Sequence, residues 1–211
     1  MRTIKLNQLL IRLLVFIPKL AGLQILWFIA SLPLFTLFSA TRTLTERLYR
    51  LEKSLDQEES TSFFFDFRQN VRMFWKQDGL LSVYLLLLLA DRQIFIRMGT
   101  QAGAVLMSAA TVLCLMSIVL FIYHVLCTLE NGRQKFWVSF VLFWRSPLFV
   151  FASFASIAVC MLFLRFVGPV YFLLLSVSLP IYVQIALKRF FQTRASKKSR
   201  ISFLKKQGEN N

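Results

Sequence analysis

AGAVLMSAATVLCLMSIVLFIYHVLCTL, residues 102–129, runs for 28 residues without a charge, and its only polar interruptions are Ser, Thr, His and Tyr. At 1.5 Å per residue a helix of that length reaches about 42 Å, which exceeds the ~30 Å hydrocarbon layer of a bilayer. A soluble fold could bury such a helix only inside a large shell of polar elements. This chain has too few: 57% of its 211 residues are hydrophobic and 15% aromatic, and they are gathered into long runs. Mean hydropathy is +0.62. The stretch reads as a transmembrane helix, and the chain as an all-α, multi-pass integral membrane helical bundle.

Working outward from that helix, five crossings are expected, at about 20–41, 75–90, 104–127, 147–164 and 170–187. The second is short in strictly apolar residues and must borrow from its flanks. The fourth and fifth are separated by RFVGP at 165–169, where Gly and Pro suit a reversal. The basic apolar block before Lys19 carries no small-x-small cleavage site and is expected to be retained. Residues 4–16, with Lys5, Gln8 and Arg12 on one face, read as an interfacial amphipathic helix. Pro18 is expected to start the first crossing helix. Cys114, Cys127 and Cys160 are odd in number and widely spaced, and they read as small hydrophobes.

The formal charge is +15. With five crossings one side carries Arg2, Lys5, Arg12, Lys19, Arg92, Arg97 and Arg165, and the other carries the remaining eighteen of the 25 Lys and Arg. That bias places the N-terminus outside, the C-terminus in the cytoplasm and the basic segments against anionic headgroups. A nucleic-acid partner is not expected, because the aromatics lie in or beside membrane segments instead of on a soluble basic face. Residues 1–190 form one membrane domain with a helical cytoplasmic loop at 42–77, and 191–211 form a basic cytoplasmic tail expected to be disordered.

In the loop, Leu44, Leu48, Leu51 and Leu55 recur at helical spacing, with Glu46 and Arg50 a turn apart on the other face. Phe64, Phe67, Val71 and Phe74 make a second apolar stripe beside Arg68, Arg72 and Lys76. That stripe reads as an interfacial anchor, or as a docking face for a partner.

Pro33 falls inside the first apolar run. It removes a backbone donor and crowds the Ile29 carbonyl, so a kink or loosened turn is expected there. Freed carbonyls in a bilayer need partners within the protein, and Ser31, Thr36, Ser39 and Thr41 are near enough to supply them. Pro180, with Gln184 one turn beyond, predicts a similar interruption in the fifth segment. A discontinuous helix can also frame a solute site. Asp91, closing the second segment, is a candidate for pairing with Arg165 or for lining a cavity. His124, the single histidine, is a candidate for ligand or proton handling.

SLPLFT at 31–36, the SATRTL that follows, FFFDFRQN at 63–70 and the order of apolar segments resemble the YesL-like family of bacterial membrane proteins, a domain of unknown function. The family's leucine-proline and phenylalanine-threonine motif falls on Leu32, Pro33, Phe35 and Thr36. Leu37 and Phe38 stand where a glycine-proline pair is common, and Val71 follows Asn70 where the family has phenylalanine. The chain therefore resembles a divergent member. The resemblance implies a supporting role in carbohydrate uptake.

No paired carboxylates, zinc-ligand spacing, phosphate-binding loop or nucleophile elbow is present in the sequence, so neither enzyme activity nor a cofactor is expected. Two functions remain. One is an accessory membrane protein that docks to a permease or to copies of itself. The other is a small-solute transporter, which would gather Thr36, Gln184, His124 or Asp91 around one cavity.

Overall fold

The computed structural model describes residues 2–53, 62–132, 136–169 and 174–191 and, with a few exceptions inside helices, the side chains from residue 17 onward. Among these residues every regular element is helical. The helices are α1 (Arg2–Ser31), α2 (Leu37–Lys53), α3 (Phe63–Met98), α4 (Gln101–Asn131), α5 (Phe136–Arg145) and α6 (Pro147–Val167), with a single 3₁₀ turn at Leu34–Thr36 between α1 and α2. A last helix, α7, covers residues 178–191. The basic tail and Leu55 lie outside the described residues.

Pro18 does not start a helix; it lies inside the continuous α1. Pro33 breaks the chain more completely than a kink. Trp27 and Thr41 are 14 residues apart, and an unbroken helix would separate them by about 21 Å. Instead the Trp27 indole Nε1 donates to Thr41 Oγ1 at 3.1 Å. The chain doubles back at the break, so the expected first crossing becomes a helix, an apolar tip and a returning helix. Leu32, Leu34 and Phe35 form that tip and are exposed.

The returning helix α2 is the second departure from expectation. Leu44, Leu48 and Leu51 are buried as their spacing predicts, but Thr41, Arg42, Thr43, Thr45 and Arg47 on the other faces are buried as well. The helix is therefore a central element of the bundle and not the exposed wall of a loop. It runs antiparallel to the first half of α3, from Phe38 beside Ser82 to Arg50 beside Asp66. The second amphipathic helix and the second crossing are likewise one element, since α3 continues unbroken for 36 residues, about 54 Å.

At the far end Gly99, at φ 60°, closes α3 in the left-handed region that favours glycine, and Thr100 Oγ1 accepts from the Gly103 N–H to cap α4. A Cβ at Gly103 would lie 2.9 Å from the Phe95 carbonyl oxygen, which explains the small residue at this crossing. α4 then returns beside α3, with Arg92 meeting Thr111 and Gln77 meeting His124.

α3 and α4 are long and apolar enough to cross a membrane, and α5 with α6, bent by 92° between them, makes a third such span if the pair is counted as one. α6 ends before Gly168, φ 119°, where a reversal was expected. The expected fifth crossing is interrupted at residues 176–177, and Pro180 sits in the first turn of α7. Ile17–Ser31 is a shorter apolar helix.

Leu80, Leu87, Val105, Val112, Phe151 and Val159 point outward from α3, α4 and α6, each more than half exposed. Apolar surface on that scale suits lipid as solvent. Lipid supplies no hydrophobic drive between helices, so the bundle must hold by close packing and polar contacts. Phe38 against Phe121, edge to face at 4.5 Å, is one such packing contact.

Candidate functional site

Two features stand out inside the bundle: a ladder of polar contacts between α2 and α3, and an apolar cavity beside it.

The ladder follows from antiparallel helices facing each other at successive turns. Asp78 is fully buried and Arg42 is 1% exposed, and they pair through two bonds, Nη2 to Oδ1 at 2.7 Å and Nε to Oδ2 at 3.0 Å. Ser39 Oγ adds a third donor to Oδ2 at 3.2 Å. The guanidinium plane lies 3.9 Å from the Phe74 ring centroid, so its face is covered as its edge is bonded. One turn on, Asn70 Nδ2 donates to Thr43 Oγ1 and Glu46 Oε2. Burial pushes the Glu46 carboxyl above its usual range, against the Asn70 bond and the charges of Arg42 and Arg50. Beyond it, Arg47 and Arg50 both reach Asp66 Oδ2, at 2.8 and 3.3 Å. A carboxylate held by bidentate arginine and a hydroxyl keeps helices in register.

His124, 2% exposed, lies beside this ladder. The Gln77 amide nitrogen faces its Nε2 at 3.3 Å, and Ser139 Oγ of α5 lies 2.9 Å from Nδ1. The imidazole thus joins α3, α4 and α5.

The cavity, about 230 Å³, lies where the Pro33 break meets the interruption before α7. Trp27, Leu37, Thr41, Ile118, Pro180 and Gln184 are among its walls. Gln24 of α1, fully buried, stabilises the interruption: its Oε1 accepts from the Ser178 N–H at 2.8 Å and its Nε2 donates to Ser176 Oγ at 3.3 Å. A side chain from another helix thereby caps the first turn of α7, taking up a donor that has no partner within the helix.

The residues singled out from the sequence do not converge. Pro33 is at the exposed tip. Thr36 is buried, and its hydroxyl donates to the carbonyls of Ala30 and Pro33 at 2.7 and 2.6 Å, a repair of the broken helix. Pro180 and Gln184 share the cavity, but His124 does not line it. Asp91 is exposed and has no ion-pair partner among the described residues; its neighbour Arg92 bonds Thr111 instead. The stripe expected as a docking face divides. Phe64 is exposed, whereas Phe67, Val71 and Phe74 are half-buried, with Phe67 packed on the core and Phe74 under Arg42. Beside Phe64, the outward residues of this half of α3 include Phe65, Arg68, Arg72, Met73, Trp75 and Lys76.

Sequence reasoning passed over Gln24, Arg42 and Asp78. The signal was there: a lone cation just past one apolar run and a lone anion just before another can neutralise each other if the segments pack. Comparison of the chain with family models, curated proteins and solved structures gives no match.

Proposed function

We propose that the chain is a non-enzymatic accessory protein of the cell membrane that docks to another membrane component. The observation that carries this reading is how the buried charges are used. Arg42 with Asp78, Arg47 with Asp66, and Lys188 with Glu130 close on each other, so each of these cations is neutralised by a neighbouring helix instead of by a solute. What faces outward is a lipid-compatible belt, and next to it the first half of α3 with Phe65, Met73 and Trp75 among Arg68, Arg72 and Lys76. Aromatics interleaved with arginine suit both a headgroup layer and a protein interface. Likeness to the YesL-like family favours a carbohydrate permease as the partner.

In this reading both termini face the cytoplasm, which replaces the outside N-terminus expected from five crossings. The support is the doubling back at Pro33, which returns the chain to the side it came from.

The test is affinity capture of a tagged copy crosslinked in its native membrane. A permease that co-purifies reproducibly, and is lost when Phe65, Met73 and Trp75 are changed to serine at unchanged expression and insertion, supports docking through α3. Recovery of the permease from the triple variant at the parental level rejects that face.

Small-solute transport is the second reading. One observation favours it: the cavity sits between two interrupted helices, with Gln184 in its wall. Uptake of labelled sugars into sealed proteoliposomes, abolished by Gln184→Leu, would move the assignment there.

A further inference from the structure

We propose that the cavity between α1, α2, α3, α4, α6 and α7 binds a neutral single-chain lipid, a hydrocarbon tail carrying one hydroxyl or carboxamide, with the Gln184 side chain as its polar anchor. The cavity is about 230 Å³, roughly one and a half times the ~150 Å³ apolar cavity known to admit benzene. Its walls are almost wholly apolar. Gln184 is fully buried there, and among the described residues neither its amide nitrogen nor its amide oxygen has a hydrogen-bond partner. A buried amide left so is costly, and native structures rarely keep one without a partner.

The chemistry of the walls selects the class of ligand. Thr41 Oγ1 already accepts from Trp27 and donates to Leu37 O, and Ser176 Oγ accepts from Gln24. A sugar or other polyol would find one free amide and the Ser176 hydroxyl, and would bury most of its own hydroxyls unpaired. Among the described residues, no charged side chain lines the cavity to meet an ionic head. An alkane would fill the space and leave the amide unmet, whereas one hydroxyl or carboxamide satisfies it. Leu115 and Met161 both line the cavity and are exposed on the outer surface, so it opens towards hydrocarbon. The inference does not depend on whether the chain docks to a permease.

The experiment uses the full chain in micelles with Trp75, Trp137 and Trp144 changed to Phe, leaving Trp27, a wall residue, as the only fluorophore of its kind. Terminally brominated dodecanol and bromododecane are titrated as quenchers. The expected result is saturable quenching of Trp27, with the alcohol effective at roughly tenfold lower concentration than the alkane, the worth of one buried hydrogen bond. Gln184→Leu should bring the ratio to about one and leave alkane quenching intact. Ile118→Phe, which fills the cavity, should weaken both probes and serves as the second variant if Gln184→Leu fails to fold. Equal quenching by alcohol and alkane in the parent overturns the proposal. Quenching that rises without saturation and is unchanged by Ile118→Phe overturns it too.

Discussion

Removing Arg42 alone leaves the Asp78 carboxylate buried beside Ser39 with its counter-charge gone. Breaking a buried pair from one side costs about 3–5 kcal/mol, while replacing both members by apolar groups of similar size is often near neutral. Arg42→Met should therefore lower stability by that amount, and Arg42→Met with Asp78→Leu should recover most of the loss. Unfolding in mixed micelles titrated with a denaturing detergent measures both. A double variant as weak as the single one would mean that the pair itself, and not its incompleteness when broken, carries the stability. Half of this contact was legible in the sequence. Arg42 was visible as the residue where charge returns after an apolar run. Its burial was not, because burial depends on α2 lying against α3, and the partner 36 positions away has no local signature. Asp78 drew no notice for the same reason.

At the scale of elements, the two interruptions are repaired differently, and that decides what each tolerates. Thr36 mends the Pro33 break from within the same stretch of chain, so the sequence around the proline already announced it. The break before α7 is mended from α1 by Gln24, 154 positions away from Ser178, and nothing near Pro180 pointed to it. Gln24→Leu keeps the volume and removes both bonds, leaving the Ser178 N–H and the Ser176 hydroxyl without their partner. A buried donor left unsatisfied costs about 1–3 kcal/mol. The loss should be local: hydrogen exchange should quicken at Ser178 while amides in the middle of α4 keep their protection. Uniform loss of protection would show that Gln24 holds the whole bundle and not one helix start. The same distinction explains which helices could be read in advance. α4 was legible from end to end because an uncharged run longer than the bilayer has few other solutions. α3 was split in two because its polar first half and apolar second half follow different periodicities, although the backbone bonds never lapse between them.

For the whole molecule, the proposed topology rests on the hairpin at Pro33 and on which ends meet. Arg189 bonds Glu52 at the end of α2 and Lys188 bonds Glu130 at the end of α4, so the final turn of α7 lies at the same end of the bundle as both. Because α2 doubles back beside α1, the beginning of α1 is assigned to that end as well. Of the 25 Lys and Arg, this topology assigns only Arg92, Arg97 and Arg165 to the far side. Five crossings had required Arg2, Lys5, Arg12 and Lys19 to sit against the positive-inside bias; doubling back removes the conflict without moving any other segment. In a variant with Cys114, Cys127 and Cys160 changed to Ser, a membrane-impermeant maleimide applied to intact cells should therefore label Gln101→Cys, at the α3–α4 turn, and should reach Thr3→Cys only after permeabilisation. Labelling of Thr3→Cys in intact cells would return the N-terminus to the outside.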